Sequence, residues 1–201
     1  MTALLQSRAL IAGNAAALDA IRDPEISLAI WERALPVDLS ALLTPEIGQV
    51  RFASALEDLP ALLSEALGDA GYPVGAMRSA LEADITLLAE RFAAVMRCDT
   101  VDIRLERVTT DACRKWHADY VTARLITTYV GQGTQWIESD AGGPCDCGDP
   151  HDIRQLAAGD VAIFKGRHWD EERAAIHRSP PIEGSGEQRL LLVINPAERS
   201  D

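Results

Sequence analysis

The chain has 201 residues, 47% of them hydrophobic and 25% charged, which is the usual make-up of a soluble globular domain with or without an extension. Its 31 acidic residues outnumber its 19 lysines and arginines, so the formal net charge is −12. Because nucleic acids and anionic membranes bind basic surfaces, we expect neither as a partner. The sequence also has no apolar run near the roughly 20 residues that a membrane span needs.

Residues 1–98 are predicted to be helical. Ala, Leu and Glu dominate this region, and its apolar residues recur at helical spacing. The clearest case is the segment Ser79–Met96, where five apolar residues fall on one stripe: Leu81, Ile85, Leu88, Phe92 and Met96. Prolines end or start a helix more readily than they continue one, so the prolines here divide the region into several helices.

Residues 99–201 have the pattern of a β domain. Short runs rich in Val, Ile, Thr and Tyr are separated by Gly, Pro and Asp, which predicts strands at 101–108, 123–130, 134–137, 160–165 and 189–194. Short strands without long helices between them favour an antiparallel barrel or jelly roll. The predicted fold class is α+β, with a helical N-terminal region (1–98) packed on a C-terminal jelly roll, or double-stranded β-helix (99–201), in one compact unit.

Three residues of the C-terminal half form a candidate metal site. His117 and Asp119 are separated by one residue, and His177 lies farther along the chain. In an extended segment, side chains at i and i+2 point to the same face, so His117 and Asp119 can reach one metal together. Two histidines and one carboxylate are the ligands of a facial triad, which leaves positions open for substrate or oxygen.

The features around this triad follow one another in a specific order. After His117 and Asp119 come a strand with a glycine turn, then the segment Leu156–Phe164, then His177, and finally a strand that opens with Arg189. Over residues 101–195 this order resembles the catalytic core of the iron(II)/2-oxoglutarate dioxygenases, especially their prolyl-hydroxylase-like branch. The whole chain also resembles a bacterial family of unknown function that is linked to metal homeostasis.

The first resemblance implies a ligand set and a cosubstrate. By position, His117, Asp119 and His177 would bind Fe(II). Arg189 would hold the far carboxylate of 2-oxoglutarate, since a guanidinium binds a carboxylate by two parallel hydrogen bonds. Tyr129, on the strand after the histidine–aspartate pair, would donate a hydrogen bond to the same carboxylate.

The cysteines offer a different metal site. Cys145 and Cys147, with Cys113 and His151 nearby in sequence, supply thiolate and imidazole groups, and such ligands in a tetrahedral arrangement favour Zn²⁺. Cys145 and Cys147 are too close in sequence for an ordinary unstrained disulfide with each other. The four cysteines also lack the spacing of a secreted disulfide framework, so we expect a reduced, cytoplasmic protein.

Three functions are compatible with these patterns. The favoured one is a non-haem Fe(II), 2-oxoglutarate-dependent oxygenase-like protein that hydroxylates or demethylates a small-molecule or protein substrate. The alternative is a zinc-binding, non-catalytic protein in metal storage, sensing or delivery, which would use the triad with Cys113 or the cysteine loop. The third is a degenerate jelly roll that binds a small acid or a protein without turnover.

Overall fold

The structure, a computed structural model, describes residues 8–111, 113–138 and 152–197. Its strands are β1 (Ala9–Ala12), β2 (Leu28–Trp31), β3 (Val50–Ala55), β4 (Thr100–Val108), β5 (Ala123–Val130), β6 (Gln135–Trp136), β7 (Arg154–Gln155), β8 (Val161–Lys165), β9 (His177–Arg178) and β10 (Arg189–Pro196). Its α-helices are α1 (Leu59–Asp69) and α2 (Ala76–Met96), and two 3-10 helices cover Ala15–Arg22 and Ser40–Leu42.

Within these ranges the strands form two sheets. The larger has seven strands in the order β1-β2-β8-β5-β10-β4-β3, and the smaller has three in the order β7-β6-β9. The pair β1 and β2 is parallel, whereas the other pairs are antiparallel. The described part of the chain is therefore rich in sheet, and two facing sheets are compatible with the predicted jelly roll.

The prediction that residues 1–98 form a helical half is wrong. β1, β2 and β3 all lie in this region, and they occupy both edges of the larger sheet. β2 pairs with β8 and β3 pairs with β4, so strands from both halves of the chain share one sheet. The physical reason is that segments of four to six residues are too short to show a period that separates a strand from a helix, so pairing partners decide between them.

The strongest sequence signals are confirmed. The long helix predicted at Ser79–Met96 is α2, and the predicted strands 101–108, 123–130 and 189–194 are β4, β5 and β10. These three strands lie side by side at the centre of the larger sheet, where β10 pairs with both neighbours. Their alternating side chains reach two separate apolar clusters, one on each face.

One face of the larger sheet is covered by α1 and α2. Leu81, Ile85, Leu88 and Phe92 of α2 are fully buried in the cluster that this face forms. The other face looks toward the smaller sheet, and the second cluster lies between the two sheets. It contains apolar residues of both sheets: Leu28, Ile30, Ile126, Trp136, Ala162, Phe164, Leu191 and Val193. Polar groups that enter this second layer are therefore placed in apolar surroundings between the sheets.

None of the described helices is both long enough and apolar enough to cross a membrane.

Candidate metal centre

The two triad histidines are held side by side by a backbone bridge. His117 donates its backbone N–H to the His177 carbonyl at 3.0 Å, and His177 donates its own to the His117 carbonyl at 2.9 Å. This isolated antiparallel bridge extends the small sheet, where His177 opens β9 and lies opposite Trp136. Residues that exchange both hydrogen bonds lie about 5.5 Å apart at Cα and point to the same face. The two imidazole centroids are accordingly 4.7 Å apart.

Asp119 joins the histidines because it follows His117 by two residues. Its carboxylate oxygens lie 3.5 Å from His117 Nε2 and 3.3 Å from His177 Nε2. The backbone at Asp119 is fixed from the other side, since its carbonyl accepts a hydrogen bond from the Arg167 N–H at 2.8 Å. Gly166 makes this approach possible, because a Cβ there would overlap the Val121 carbonyl and lie 3.1 Å from the Asp119 carbonyl.

Hydrogen bonds to the backbone determine the tautomer of both histidines. His117 Nδ1 lies 2.8 Å from the Lys115 carbonyl, and His177 Nδ1 lies 3.1 Å from the Ala175 carbonyl. A carbonyl oxygen accepts and never donates, so each Nδ1 carries the proton of its ring. In the neutral rings both Nε2 atoms then present lone pairs, and both face Asp119.

The Asp119 carboxylate is charged and incompletely satisfied. Burial raises the pKa of Asp119, but the two histidines and Arg124 outweigh burial and hold the pKa well below its usual range. Oδ2 is buried and accepts no hydrogen bond of good geometry from the described residues, although Arg124 Nη1 lies 2.8 Å away. Arg124 Nη1 and Asp119 Oδ2 are close enough for an ion pair, but their geometry does not meet that of a hydrogen bond. A lone pair of Asp119 Oδ2 is therefore free.

These residues fit a divalent metal ion. Candidate ligand atoms of His117, Asp119 and His177 all lie within 4.8 Å of one another. Two imidazole lone pairs and a carboxylate repel each other unless a cation lies among them, and in metal-free protein a proton has to do so. The hydrogen bonds from Nδ1 to carbonyls are the outer contacts that orient metal-binding histidines in general. Two histidines and a carboxylate suit Fe²⁺ and also Zn²⁺.

Access to this triad is uneven. The side chain of His177 is 5% exposed and that of Asp119 is 12% exposed, whereas the His117 side chain is 33% exposed. His177 packs on Phe164 of the apolar layer between the sheets, with the ring centroids 4.6 Å apart. The triad therefore closes the apolar layer on one side and opens to solvent at His117.

Arg189 is the second unusual group between the sheets. It opens β10, is fully buried, and shares the face of Leu191 and Val193. None of the carboxylates in the described residues lies within ion-pair distance of its guanidinium. Burial lowers the pKa of Arg189 to about 10, and the more distant charge of Glu106 opposes this effect only in part.

Hydroxyl groups surround the Arg189 guanidinium. Nη2 donates to Thr128 Oγ1 at 3.2 Å and to Thr134 Oγ1 at 3.3 Å, and Nη1 donates to Ser179 Oγ at 3.3 Å. Nε donates to the Gln132 carbonyl at 2.6 Å. Each hydroxyl accepts from Arg189 and keeps its own O–H, for which no acceptor is found among the described residues. One guanidinium N–H and three hydroxyls are thus available to an anion.

A short segment connects the triad with this cationic group. His177 and Ser179 are two residues apart, which in extended chain is about 7 Å, and they point to the same face. His177 faces Asp119, whereas Ser179 faces Arg189. A ligand with two acidic ends could therefore reach the metal position and the guanidinium together.

Tyr129 does not lie at this site, and its predicted role is corrected. Alternation along β5 places Thr128 between the sheets and Tyr129 on the helix-covered face. There the Tyr129 hydroxyl donates to Asp84 Oδ2 at 2.8 Å, and Arg33 binds the same carboxylate. Burial, and then the neighbouring Asp84, raise the pKa of Tyr129 well above its usual value. Tyr129 thus ties α2 to the sheet.

The alternative zinc ligands are not brought to the triad in the described residues. Cys113 is exposed and lies outside the group of ligand atoms that surrounds Asp119. Cys145, Cys147 and His151 lie outside the described residues. Sequence reasoning missed Thr128, Thr134, Ser179 and Arg124. Strand alternation from Ile126 could have indicated Thr128, but the other three depend on tertiary contacts.

Several solved structures can be aligned with most of this chain. A prolyl-4-hydroxylase from Pseudomonas putida aligns with 92% of this chain and 94% of its own length, at 12% identity and a TM-score of 0.49. A BsmA homologue from Methylobium petroleophilum PM1 aligns over 94% and 97%, at 16% identity and 0.45. The auxin dioxygenase DAO1 of Arabidopsis thaliana, solved with 2-oxoglutarate, aligns over 83% and 74%, at 11% and 0.44. With TM-scores below 0.5, these resemblances assign no activity here.

Comparison of sequences gives a family but no described activity. No curated protein matches the chain. Residues 12–195 match the family described as "Protein of unknown function (DUF1826)", a range that includes the triad and Arg189. The chain therefore belongs to the DUF1826 family.

Proposed function

We propose that this protein is a non-haem Fe(II), 2-oxoglutarate-dependent oxygenase. The observation that carries the proposal is the pairing of two groups between the same sheets. One is the His117, Asp119 and His177 triad. The other is the buried guanidinium of Arg189, which has no carboxylate within ion-pair distance among the described residues. When bound, Fe(II) and 2-oxoglutarate would supply O₂ activation: oxidation of 2-oxoglutarate to succinate and carbon dioxide provides two of the four electrons that reduce O₂. The substrate provides the other two as one of its C–H bonds is hydroxylated, and hydroxylation of a methyl group would lead to demethylation.

The protein's own residues bind and orient in this scheme. His117, Asp119 and His177 would hold the metal, and the Lys115 and Ala175 carbonyls would keep each Nε2 directed at it. Three protein ligands leave positions open for other molecules, as catalytic sites require. The packing of His177 on Phe164 keeps bulk water from the inner side of the triad.

Arg189 would bind the far carboxylate of 2-oxoglutarate. A carboxylate would neutralise the buried charge and accept hydrogen bonds from the guanidinium and from the hydroxyls of Thr128, Thr134 and Ser179. A buried cation without a counter-ion is costly, and a protein that keeps one commonly uses it to bind an anion. Leu191, two positions after Arg189 on the same face of β10, has no hydroxyl group, so the hydroxyl donors come from other segments.

Arg189 also separates this proposal from a zinc protein. The triad alone suits Zn²⁺ as well as Fe²⁺, but metal storage or delivery needs no buried cation beside the metal. The proposal thus predicts metal-dependent binding of 2-oxoglutarate, whereas a zinc-handling protein would bind metal and ignore the acid.

Calorimetry of 2-oxoglutarate binding to anaerobic, Mn²⁺-loaded protein tests the proposal. We expect binding that requires both the metal and Arg189, so the Arg189→Gln variant should bind Mn²⁺ normally and lose 2-oxoglutarate. The matched control is Arg51→Gln, an exposed arginine on β3. Equal binding of 2-oxoglutarate by wild type and Arg189→Gln, or binding without metal, would contradict the proposal.

A further inference from the structure

An open groove of about 400 Å³ lies directly beside the exposed edge of the triad. It is lined by Asp111, Cys113, Arg114, Lys115 and His117. His117 is also the most exposed of the three candidate metal ligands, so the groove reaches the one side from which the metal position is open. The volume is that of a small-molecule pocket.

The groove has a fixed frame. Residues 113–117 run beside 177–179, tied by the His117–His177 bridge and by the Ser179 N–H donating to the Cys113 carbonyl at 3.0 Å. At the far end, Asp111 Oδ1 accepts backbone N–H groups of Ile182 and Glu183, each at 2.7 Å. A ligand in the groove would therefore meet a preformed surface.

The groove has a net positive charge, since its two cations, Arg114 and Lys115, outnumber its one carboxylate, Asp111. The Asp111 carboxylate is engaged by the backbone of Glu183 and Ile182, which keep its pKa below the usual value. Arg114 lies 3.9 Å from that carboxylate and its side chain is 66% exposed, so the pairing is weak. Lys115 is exposed, and its ammonium makes no ion pair with the described residues. In a chain of net charge −12, which repels anions overall, two neighbouring cations mark an attractive site.

We infer that this groove binds the substrate of the metal centre, and that the substrate is a small organic anion with a carboxylate or phosphate group on an apolar body. Arg114 and Lys115 would hold the anionic group. The aliphatic stems of Arg114 and Lys115, with the Cys113 side chain, would cover the apolar body and direct it toward His117. This inference rests on the proposed function, because it takes His117 as a metal ligand that faces the substrate.

The test uses benzoate and phenyl phosphate as probes, with benzamide as the neutral control. Binding is mapped by backbone amide shifts in metal-free protein and by relaxation of probe protons in Mn²⁺-loaded protein. We expect at least one probe to shift the backbone amide resonances of residues 113–117. The protons of that probe should also relax faster when Mn²⁺ is bound. A stronger response to benzoate assigns a carboxylate, and a stronger response to phenyl phosphate assigns a phosphate.

Two charge-removing variants decide the role of the cations. Arg114→Gln with Lys115→Gln should weaken probe binding about fivefold or more while Mn²⁺ affinity stays unchanged. The control, Arg51→Gln with Arg97→Gln, removes two exposed positive charges elsewhere and should bind the probe as wild type does. Equal binding of benzamide, or anion binding that survives loss of Arg114 and Lys115, would overturn the inference. If Mn²⁺ itself fails to bind while the amide shifts persist, the proposed function fails and the anion site stands.

Discussion

Ser179 accepts a hydrogen bond from Arg189, and His177, two residues earlier in the chain, faces Asp119. One short segment thus contacts the candidate metal position at His177 and the buried cation at Ser179, where the Oγ lies 3.3 Å from Arg189 Nη1. Because strand residues i and i+2 share a face, the two groups open into the same space between the sheets. The backbone of this segment therefore holds the candidate metal position and the anion position near each other in the ligand-free protein.

Loss of one triad ligand should abolish metal binding without unfolding the protein. Asp119→Asn keeps the shape of the side chain and removes its charge, so we expect Mn²⁺ or Fe²⁺ affinity to fall about 100-fold or more. His177→Ala should do the same, whereas His168→Gln, at an exposed histidine outside the triad, should leave affinity unchanged. Calorimetric titration measures the affinities, and circular dichroism confirms the fold. Tight metal binding by Asp119→Asn would remove the triad from the account.

Arg189 should lower the free energy of unfolding of the protein when no anion is bound to it. Replacement by Met fills much of the same volume without a charge, so the free energy of unfolding of ligand-free Arg189→Met should be near or above that of wild type. Added 2-oxoglutarate with Mn²⁺ should raise the Tm of wild type and leave that of the variant unchanged. Thermal unfolding with and without the ligand measures both effects. A variant that is several kcal/mol less stable, on the order expected for a broken buried ion pair, would show that Arg189 has a structural partner instead.

Substitutions at Tyr129 and Thr128 should change different properties, namely stability for Tyr129 and anion binding for Thr128. Tyr129→Phe removes the hydrogen bond to Asp84, so the free energy of unfolding should fall by about 1–2 kcal/mol with 2-oxoglutarate affinity unchanged. Thr128→Val removes a hydroxyl at Arg189 and should lower 2-oxoglutarate affinity. Urea unfolding and calorimetry provide the two readouts. The opposite pattern would restore Tyr129 to the cosubstrate site.

Metal affinity should rise with pH. The hydrogen bond to Asp119 is the main cause that raises the pKa of His117 above 6.5 in the metal-free protein, and a metal must displace that proton. Since the pKa of Asp119 lies far lower, the carboxylate stays ionised over this range. We expect Mn²⁺ affinity to increase as the pH rises through the folded pKa of His117 and then to level off.

The same shift has the opposite sign for metal-free stability. A raised folded pKa contributes stability that is fully present below about 6.5 and is lost as the pH rises through the folded value. Metal-free wild type should therefore lose Tm over this window, and His117→Gln should flatten the loss. A metal-free Tm that rises with pH in wild type alone would contradict the assignment.

The parts of the site that lie on single strands could be predicted from sequence. The histidine–aspartate spacing predicted that His117 and Asp119 share one face, whereas Arg189 was implied by the resemblance to the dioxygenases. Thr134 and Ser179 could not be predicted, because their contact with Arg189 depends on how the loops after β5 and β9 return to β10. The role of Tyr129 was implied by the resemblance alone, and alternation along β5 places its side chain on the helix-covered face.

The elements that could be predicted from sequence are those long enough to show a periodic pattern of apolar residues. α2 spans 21 residues and shows a clear apolar stripe, and the nine-residue strand β4 alternates. β1 and β2 have four residues each, too few to show a period, and β2 is buried between β1 and β8. Their strand state follows from pairing with residues far along the chain, so local sequence alone favoured a helix.

The most direct test of the account is an anaerobic visible spectrum of the protein with Fe(II), recorded before and after 2-oxoglutarate is added. We expect a new metal-to-ligand charge-transfer band on addition of 2-oxoglutarate. The band should be absent in His177→Ala, which lacks a metal ligand, and in Arg189→Gln, which lacks the anion partner. A folded wild-type protein that binds Fe(II) and develops no band, or a band that persists in both variants, would contradict the claim that the triad and Arg189 form one site.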